Sequence, residues 1–287
     1  MQPNETSLQT GRLAEQILSD RFGTRVYLGE GRDLGGSARS QVLRFPVLAG
    51  PAIAPASVIV KQTNQAKFDS ETANDAAWML FNDWASLQFL STLQPSVPFA
   101  PTFYGGERGA GLFVMEDLGE WTRLDHLLLG DDPGAAEAGL LAYTRSHGRL
   151  HVLTLGREMD YLSLRESFGP PTPPSSSTEY SWLFSLLRAL AKQLDMSIQP
   201  GAEEELAVLA ESLANPGPFR TFVQSDAAPD NCLLQGEVVR LIDFEGAQYA
   251  HALLEGVYYN GPRNLGHAHF SCSTINQPGR FAAKHPV

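Results

Sequence analysis

Hydrophobic positions near the start of the chain follow first a helical period and then a strand period. Residues 7–23 carry apolar side chains on one stripe, which predicts a helix with Ser7 as its N-cap and Gly23 as its end. Residues 25–28 and 40–45 are short and apolar at alternating positions, and they predict two strands joined by a glycine-rich connection. The chain is therefore expected to begin with a helix that leads into a sheet.

The next stretch predicts a buried strand, a long helix and two further strands. Residues 58–61 place three β-branched side chains ahead of a lysine, a pattern typical of a strand. Residues 73–93 have helical period and are rich in aromatic side chains. Three prolines within residues 95–101 end that helix. Residues 102–105 and 111–115 then predict strands that meet at a glycine-rich turn.

The second half of the chain is mainly helical in pattern, with one hairpin. The predicted helices cover residues 124–129, 132–151, 180–194 and 203–213, and a further helix can start within 247–259. Residues 168–178 are rich in proline and serine and predict a mobile loop. Residues 231–234 and 238–242 predict a hairpin whose turn is formed by residues 235–237.

Folding this hairpin brings three oxygen-bearing side chains to its open end. Asn231 begins one strand and Asp243 follows the other, so the two are expected to be neighbours. Asp226 lies just upstream, in a loop that Pro229 keeps from becoming helical. Oxygen ligands suit a hard divalent cation, so the sequence predicts a cation site at this rim. The alternative is that the hairpin end is only solvated surface.

Composition limits the kind of partner. A chain of 287 residues with 43% hydrophobic and 18% charged residues is long enough for one large domain or two lobes. The net charge of −11 disfavours nucleic acid and anionic membranes as partners and would attract a cationic substrate. Cys232 and Cys272 are too few for a disulfide framework, and no signal peptide or membrane span is evident. We therefore expect a cytoplasmic protein without a membrane partner.

The hairpin and the loop before it resemble a known motif. The interval from Asp226 to Asn231 is that of the protein-kinase catalytic loop, and Asp243 and Phe244 fall where the kinase's second metal-binding Asp-Phe stands. The stretch resembles the aminoglycoside phosphotransferase and choline kinase family, whose usual form is His-Gly-Asp, then Asn, then Ile-Asp-Phe-Glu. Here Gln224 replaces the usual His and Ser225 the usual Gly.

Three other segments extend the resemblance. Lys61 matches the strand lysine that pairs with nucleotide phosphates, and Asp83 stands where the family's helix presents a glutamate to that lysine, with Glu71 as a less well placed substitute. Residues 114–119 resemble the hinge whose backbone usually binds adenine. The candidate contacts there are Met115, Glu116 and Leu118. Because aspartate is one methylene shorter than glutamate, either the helix lies closer to Lys61 or the ion pair is looser. An exposed helix acid is the alternative.

The resemblance implies an α+β, two-lobed protein-kinase-like fold with a strand-rich N-terminal lobe and a mainly helical C-terminal lobe. We predict an N-terminal nucleotide-binding lobe at residues 1–115, a hinge at 116–119 and a catalytic and substrate lobe at 120–287. The implied reaction is Mg²⁺-assisted transfer of the γ-phosphate of ATP to a hydroxyl of a small molecule.

The implied roles follow residue by residue. Asp226 would orient the acceptor hydroxyl and accept its proton, while Asn231 and Asp243 would hold the metal. Lys61, supported by Asp83, would anchor the α- and β-phosphates. Glu245 is expected to lie on the acceptor side or behind the site, and Gln224 to position the loop in place of the family's histidine. His151 ends a Leu-His pair that the family shares and is expected to be structural.

Several features leave other functions open. Gln224, Asp83 and the atypical tail at residues 260–287 favour a catalytically impaired pseudokinase that binds nucleotide or another protein. A metal hydrolase that uses Asp226, Asp243 and Glu245 is a third possibility. The tail also holds the residues of a conceivable zinc site, although a fourth ligand is missing; these residues are His267, His269 and Cys272. The glycine-rich residues 29–37 suit either phosphate contact or a plain turn, and no Walker A motif is present.

Overall fold

The computed structural model describes residues 5–37, 39–64, 75–93, 98–168 and 181–259. These residues form an α+β fold with a strand-rich N-terminal lobe and a mainly helical C-terminal lobe, which confirms the predicted fold class. Glu71, the proline-rich segment from residue 169 and the tail from residue 260 lie outside the described residues, and so does the conceivable zinc site. None of the described helices is long and apolar enough to cross a membrane.

The N-terminal lobe is an antiparallel sheet of six strands with two helices, one before the first strand and one between the fourth and fifth strands. The strands are β1 (Tyr27–Leu28), β2 (Arg32–Gly36), β3 (Ser40–Ala49), β4 (Ser57–Thr63), β5 (Phe103–Glu107) and β6 (Leu112–Glu116). They follow the order β1-β3-β4-β6-β5, with β2 also paired to β3. Helix α1 (Glu5–Phe22) precedes β1, and helix α2 (Asp75–Thr92) connects β4 to β5.

Two sequence predictions for this lobe are wrong in detail. Ser7 lies inside α1, two residues after its first residue, and is therefore not the N-cap. The glycine-rich connection is not only a turn, because part of it forms β2 and pairs with β3. Gly35 and Gly36 make this possible, since their φ angles of 95° and 155° are conformations that other residues rarely adopt. The glycine-rich segment is therefore a hairpin arm of the sheet.

Strand β4 is the central strand of this sheet, and its position explains its sequence. It pairs with β3 on one side and β6 on the other, and its residues from Val58 to Thr63 are all buried. A strand covered on both faces needs a nearly continuous run of β-branched and apolar side chains. Lys61 interrupts that run as a buried cation, opposite Val42 and Phe113 in the two neighbouring strands.

The C-terminal lobe begins with β7 (Thr122–Arg123) and is built mainly from helices. They are α3 (Leu124–Leu128), α4 (Pro133–Thr154), α5 (Glu158–Glu166), α6 (Ser181–Gln193) and α7 (Ala202–Ala214). Helix α4 starts where the sequence predicts, because the Asp132 side chain accepts hydrogen bonds from the amides of Gly134 and Ala135 at 2.9 and 3.1 Å. Pro133 occupies the first helical position, where no amide hydrogen is needed.

Four short strands complete this lobe and carry the candidate motif. They are β8 (Arg220–Val223), β9 (Cys232–Gln235), β10 (Val238–Leu241) and β11 (Gln248–His251). Strands β9 and β10 form the predicted hairpin, with β7 on the other side of β9, and β8 pairs with β11. The helix predicted to start within 247–259 is there only as a 3-10 helix over Ala252–Tyr259, and β11 precedes it. Tyr249 in β11 packs its ring on Phe222 of β8, which favours pairing of these strands.

Helix α2 packs against elements of both lobes. Its buried side chains join the large cluster that also contains side chains of α4, α5, β8 and the hairpin. The ring of Phe89 lies 5.7 Å from that of Tyr161 and 5.4 Å from that of Phe222. On its other side Trp84 packs against Phe113 of β6. Because α2 contacts both lobes, it fixes where the sheet lies relative to the motif-bearing hairpin.

Candidate active site

Lys61 is the centre of a buried charge cluster that joins three parts of the chain. Its Nζ donates hydrogen bonds to Asp83 Oδ2 and to Asp243 Oδ1, each at 2.7 Å, and lies 4.0 Å from Glu245 Oε2. Burial by itself lowers the pKa of Lys61, but the three carboxylates outweigh it and raise that pKa above its ordinary value. Lys61 is therefore a charged ammonium that ties β4 to α2 and to the end of the hairpin.

Asp83 makes the close contact with Lys61 that a longer glutamate would otherwise make. Its side chain is 2% exposed, and its second oxygen, Oδ1, accepts a hydrogen bond from the amide of Phe244 at 3.1 Å. The sequence left open whether the shorter aspartate would make a looser ion pair with Lys61 or whether the helix would approach the lysine. The 2.7 Å distance between Lys61 Nζ and Asp83 Oδ2 shows that the ion pair is tight. Asp83 thus bridges the strand lysine and the backbone that follows Asp243.

The hairpin brings Asn231 and Asp243 to its open end, as the sequence predicts. Leu241 pairs with Cys232, and the amide of Ile242 donates to the Asn231 carbonyl at 3.0 Å. The boundaries differ by one residue from the prediction. Asn231 ends a 3-10 turn, Pro229–Asn231, and the return strand stops at Leu241. The turn itself has two residues between the paired ends of the strands, because Val238 pairs directly with Gln235.

Asp226 lies beside these residues and is surrounded by other carboxylates. The Asn231 amide nitrogen Nδ2 donates to the backbone carbonyl of Asp226 at 3.0 Å, which fixes the loop that carries it. Burial raises the pKa of the Asp226 carboxyl to about 6, and the charges of Asp243, Asp230 and Glu245 add to that rise. A carboxylate with a raised pKa is a better proton acceptor than an ordinary aspartate.

The donor atoms at this rim suit a magnesium ion. Among the described residues there is no group of three or more His, Cys, Asp or Glu side chains that could hold a metal. Mg²⁺ does not need such a cage, because it often binds one or two protein oxygens together with water and substrate phosphates. Asn231 and Asp243 can supply two oxygens, and the Asp243 side chain is 35% exposed. A divalent cation would also offset the crowded negative charge around Asp226.

Arg39 is a residue of the site that sequence reasoning missed. It lies in the tip between β2 and β3, and its Nη2 is 3.0 Å from Oε1 of Glu245. The glycine-rich arm of the sheet therefore reaches the C-terminal lobe beside Lys61. Burial and the charge of Asp243 raise the pKa of Glu245, while Lys61 and Arg39 act in the opposite direction. No local pattern of the sequence indicates this contact, because it joins residues 206 positions apart.

The predicted hinge residues lie at the end of β6. Met115, Glu116 and Leu118 are all half-buried. Glu116 is held on the β5 side, because its amide donates to the Thr102 carbonyl and its carboxylate accepts from the Thr102 amide, each at 2.9 Å. Asp117 fixes the connection that follows by an ion pair with Arg44. The proposed adenine contacts of these residues stay predictions.

Gln224 lies between the Asp226 loop and the strand that leads to Asp243. It is fully buried, and its side-chain Nε2 donates to the carbonyl of Ile242, directly before Asp243. Its backbone amide donates to Glu255, a buried carboxylate that also contacts His151 Nε2 at 2.7 Å. His151 therefore has a structural contact, as expected. The glutamine connects the Asp226 loop to the Asp243 strand.

Ser225 has a backbone conformation that explains why the family motif has glycine there. Its φ is 63°, in the left-handed region that costs about 1–2 kcal/mol for a residue with a Cβ. We predict that Ser225→Gly raises the free energy of unfolding by about 0.5–1 kcal/mol, because relief of this strain exceeds the greater chain entropy of glycine. Urea unfolding of both proteins measures this. Ser225→Ala, which keeps Cβ, is the control, and a glycine variant no more stable than the alanine variant would refute the strain argument.

Comparisons with known proteins give structural likeness only. No protein-family model matches the chain, and no curated protein matches it. Among solved structures, a putative fructosamine-3-kinase from Thermobifida fusca has 17% identity and a TM-score of 0.47, over 85% of this chain and 78% of that one. Choline kinase LicA from Streptococcus pneumoniae has 13% identity and a TM-score of 0.45, over 89% and 76%. An aminoglycoside phosphotransferase in a ternary complex with ADP and hygromycin B has 15% identity and a TM-score of 0.46, over 85% and 75%.

Proposed function

We propose that this protein is an ATP-dependent phosphotransferase that moves the γ-phosphate to a hydroxyl of a small molecule with the help of Mg²⁺. The observation that carries this proposal is the Lys61 cluster. A buried lysine meets Asp83 and Asp243 at 2.7 Å each, with Asp226 close enough to Asp243 for their charges to interact. This arrangement has the parts that phosphoryl transfer needs: an anchor for phosphates, oxygens for a metal and a proton acceptor.

The nucleotide side of the site is assigned to Lys61, Asn231 and Asp243. Lys61 would bind the α- and β-phosphates, and its ion pair with Asp83 keeps it charged and oriented. Asn231 and Asp243 would hold Mg²⁺, which neutralises the charge that develops on the transferred phosphoryl group. The half-buried end of β6 would receive the adenine, at Met115, Glu116 and Leu118.

The acceptor side of the site is assigned to Asp226. The acceptor oxygen forms a bond to the γ-phosphorus, the bond from that phosphorus to the β,γ-bridging oxygen breaks, and ADP leaves with the bond's electron pair. The acceptor's hydroxyl proton passes to the Asp226 carboxylate. Gln224 and Asn231 hold the loop that orients this carboxylate. Glu245 is held by Arg39 beside this site and would face the acceptor or support the metal ligands.

We also propose that residues 1–115 and 120–287 are the two lobes and that residues 116–119 are the hinge between them. Strand β6 ends at Glu116, and Asp117 ties the next residues to Arg44 of β3. This division places the phosphate anchor in one lobe and the proton acceptor in the other. The substrates would therefore meet in the cleft between the lobes, at the Lys61 cluster.

The test is ATP turnover by the purified protein with Mg²⁺ and a panel of amino alcohols, sugars and aminoglycosides. We expect ADP release that depends on one acceptor class and on Mg²⁺, with a phosphorylated acceptor identified by mass spectrometry. Reactions without acceptor and with excess chelator are the controls. Nucleotide binding without turnover of any acceptor would instead support a pseudokinase. Hydrolysis of a phosphoester without ATP would indicate a metal hydrolase.

A further inference from the structure

Asn82 is a buried amide that contacts the turn following Asp243. It precedes Asp83 on α2, and its side chain is 2% exposed. Its Nδ2 lies 2.8 Å from the carbonyl oxygen of Ala247, 3.1 Å from that of Glu245 and 3.3 Å from that of Phe244. The two N–H donors of a single side chain on α2 thus serve three carbonyls of one turn, so that at least one N–H is shared between two carbonyls. Without these donors the buried carbonyls would lose hydrogen bonds that water cannot replace.

Tyr161 binds the oxygen end of the Asn82 amide. Its hydroxyl on α5 donates to Asn82 Oδ1 at 2.7 Å and lies 3.1 Å from the Ala247 carbonyl. Because the three carbonyls can only accept hydrogen bonds, the Asn82 nitrogen must face them, and its oxygen is left to accept from the Tyr161 hydroxyl. Tyr161 is 3% exposed, and its ring packs on Phe89 and Phe222. The amide is therefore held from both sides.

Asp83 completes the attachment by binding the donor side of the same turn. Its Oδ1 accepts from the Phe244 amide at 3.1 Å, while its Oδ2 binds Lys61. Two successive side chains of α2 thus bind both the carbonyls and an amide of residues 244–247. The turn begins at Asp243, whose φ of 64° is unfavourable for a residue with a Cβ. These contacts offset that local cost, because they are lost if the backbone there relaxes.

We propose that Asn82 is a positioning residue that locks the turn after Asp243 to α2, so that the phosphate and metal ligands are assembled before nucleotide binds. Helix α2 and residues 243–247 then move as one body. Displacement of α2 away from Lys61 would break the three carbonyl contacts together with the Lys61–Asp83 pair. The inference that the turn is held in place depends only on the contacts of Asn82, Tyr161 and Asp83. The inference that this affects the binding of Mg²⁺ and nucleotide also rests on the proposed function.

The test of the lock is amide hydrogen exchange in the ligand-free protein, with two variants and one control. Asn82→Ala removes both N–H donors of the amide, and Tyr161→Phe removes only the hydroxyl that binds the amide oxygen. We expect exchange in residues 243–247 to be about 10- to 100-fold faster in Asn82→Ala and less accelerated in Tyr161→Phe, since each lost hydrogen bond weakens the turn. Leu87→Val, a buried change on the same helix, is the control for general loss of stability.

The functional readout is the Mg²⁺ dependence of ADP binding. Asn82→Ala is expected to need about tenfold more Mg²⁺ for half-maximal ADP affinity, while adenosine binding stays unchanged because adenosine needs no metal. Leu87→Val should shift neither quantity. Unchanged exchange of residues 243–247 in both variants, or equal acceleration in the control, would overturn the lock. If Asn82→Ala does not fold, Tyr161→Phe decides by the same measurements. A protein that shows the lock but no phosphate transfer would refute the proposed function alone.

Discussion

Asp226→Asn is expected to lower phosphate transfer by about 10²- to 10⁴-fold, because the amide cannot accept the acceptor's proton. Nucleotide binding should remain close to that of the unchanged protein, since Lys61 and Asp243 are untouched. The measurement is turnover with the acceptor found in the panel, alongside ADP affinity. The exposed Asp131→Asn is the matched control, because it makes the same chemical change outside the cluster. Equal turnover in Asp226→Asn would end the assignment of Asp226 as proton acceptor.

The same variant is expected to be more stable than the unchanged protein at neutral pH. The pKa of Asp226 is about 6 in the folded protein against an ordinary 3.8, so its ionisation is harder in the folded than in the unfolded state. This cost is absent below about pH 4, grows between the two pKa values and is complete above about pH 6. We expect a gain of about 1–2 kcal/mol at pH 7.5, after allowance for partial exposure, and little gain at pH 4. Denaturant unfolding in the presence of a chelator measures the free energy of unfolding at both pH values. Equal stability of the two proteins at pH 7.5 would contradict the raised pKa of Asp226.

Lys61→Met is expected to remove nucleotide binding and to cost about 3–5 kcal/mol of folding free energy, because it leaves buried carboxylates without their cation. Asp83 bears most of this cost, since it is 2% exposed, whereas Asp243 at 35% side-chain exposure retains some hydration. Thermal unfolding and ADP binding are the two measurements.

The double variant Lys61→Met with Asp83→Asn separates the two effects of the lysine. We expect it to recover much of the lost stability, because the uncompensated charge is gone, and none of the nucleotide binding. If Lys61→Met alone is as stable as the unchanged protein, Lys61, Asp83 and Asp243 do not form a buried ionic network. A double variant that binds ADP normally would show that Lys61 does not anchor phosphates.

The sequence could predict the parts of the site whose order along the chain is itself informative. The interval from Asp226 to Asn231 and the hairpin up to Asp243 are local, so pattern and turn chemistry place them correctly to within one residue. Lys61 at the end of a β-branched run also follows from local pattern. The two-lobed α+β architecture is confirmed for the same reason, since most of its elements have clear periods.

The features that could not be predicted from the sequence are contacts between residues that lie far apart along the chain. Whether Asp83 reaches Lys61 is decided by how closely α2 packs on the sheet, which the short side chain alone leaves open. Asn82 has no visible role until residues 244–247 are folded against it. Arg39 meets Glu245 across 206 positions of sequence, and no local pattern carries such a contact. The strand Gln248–His251 was missed because its partner, β8, lies before the hairpin.

The position of α2 in the aromatic core of the C-terminal lobe also affects whether the two lobes can fold independently. Domains that fold independently each have a hydrophobic core of their own. Here Phe89 of α2 packs among Tyr161, Phe222 and Tyr249. Cutting the chain at the proposed hinge would therefore remove part of the hydrophobic core of the C-terminal half. We therefore expect the C-terminal half to depend for part of its core on α2, which precedes the proposed hinge, so that this half is not a module that could be exchanged alone.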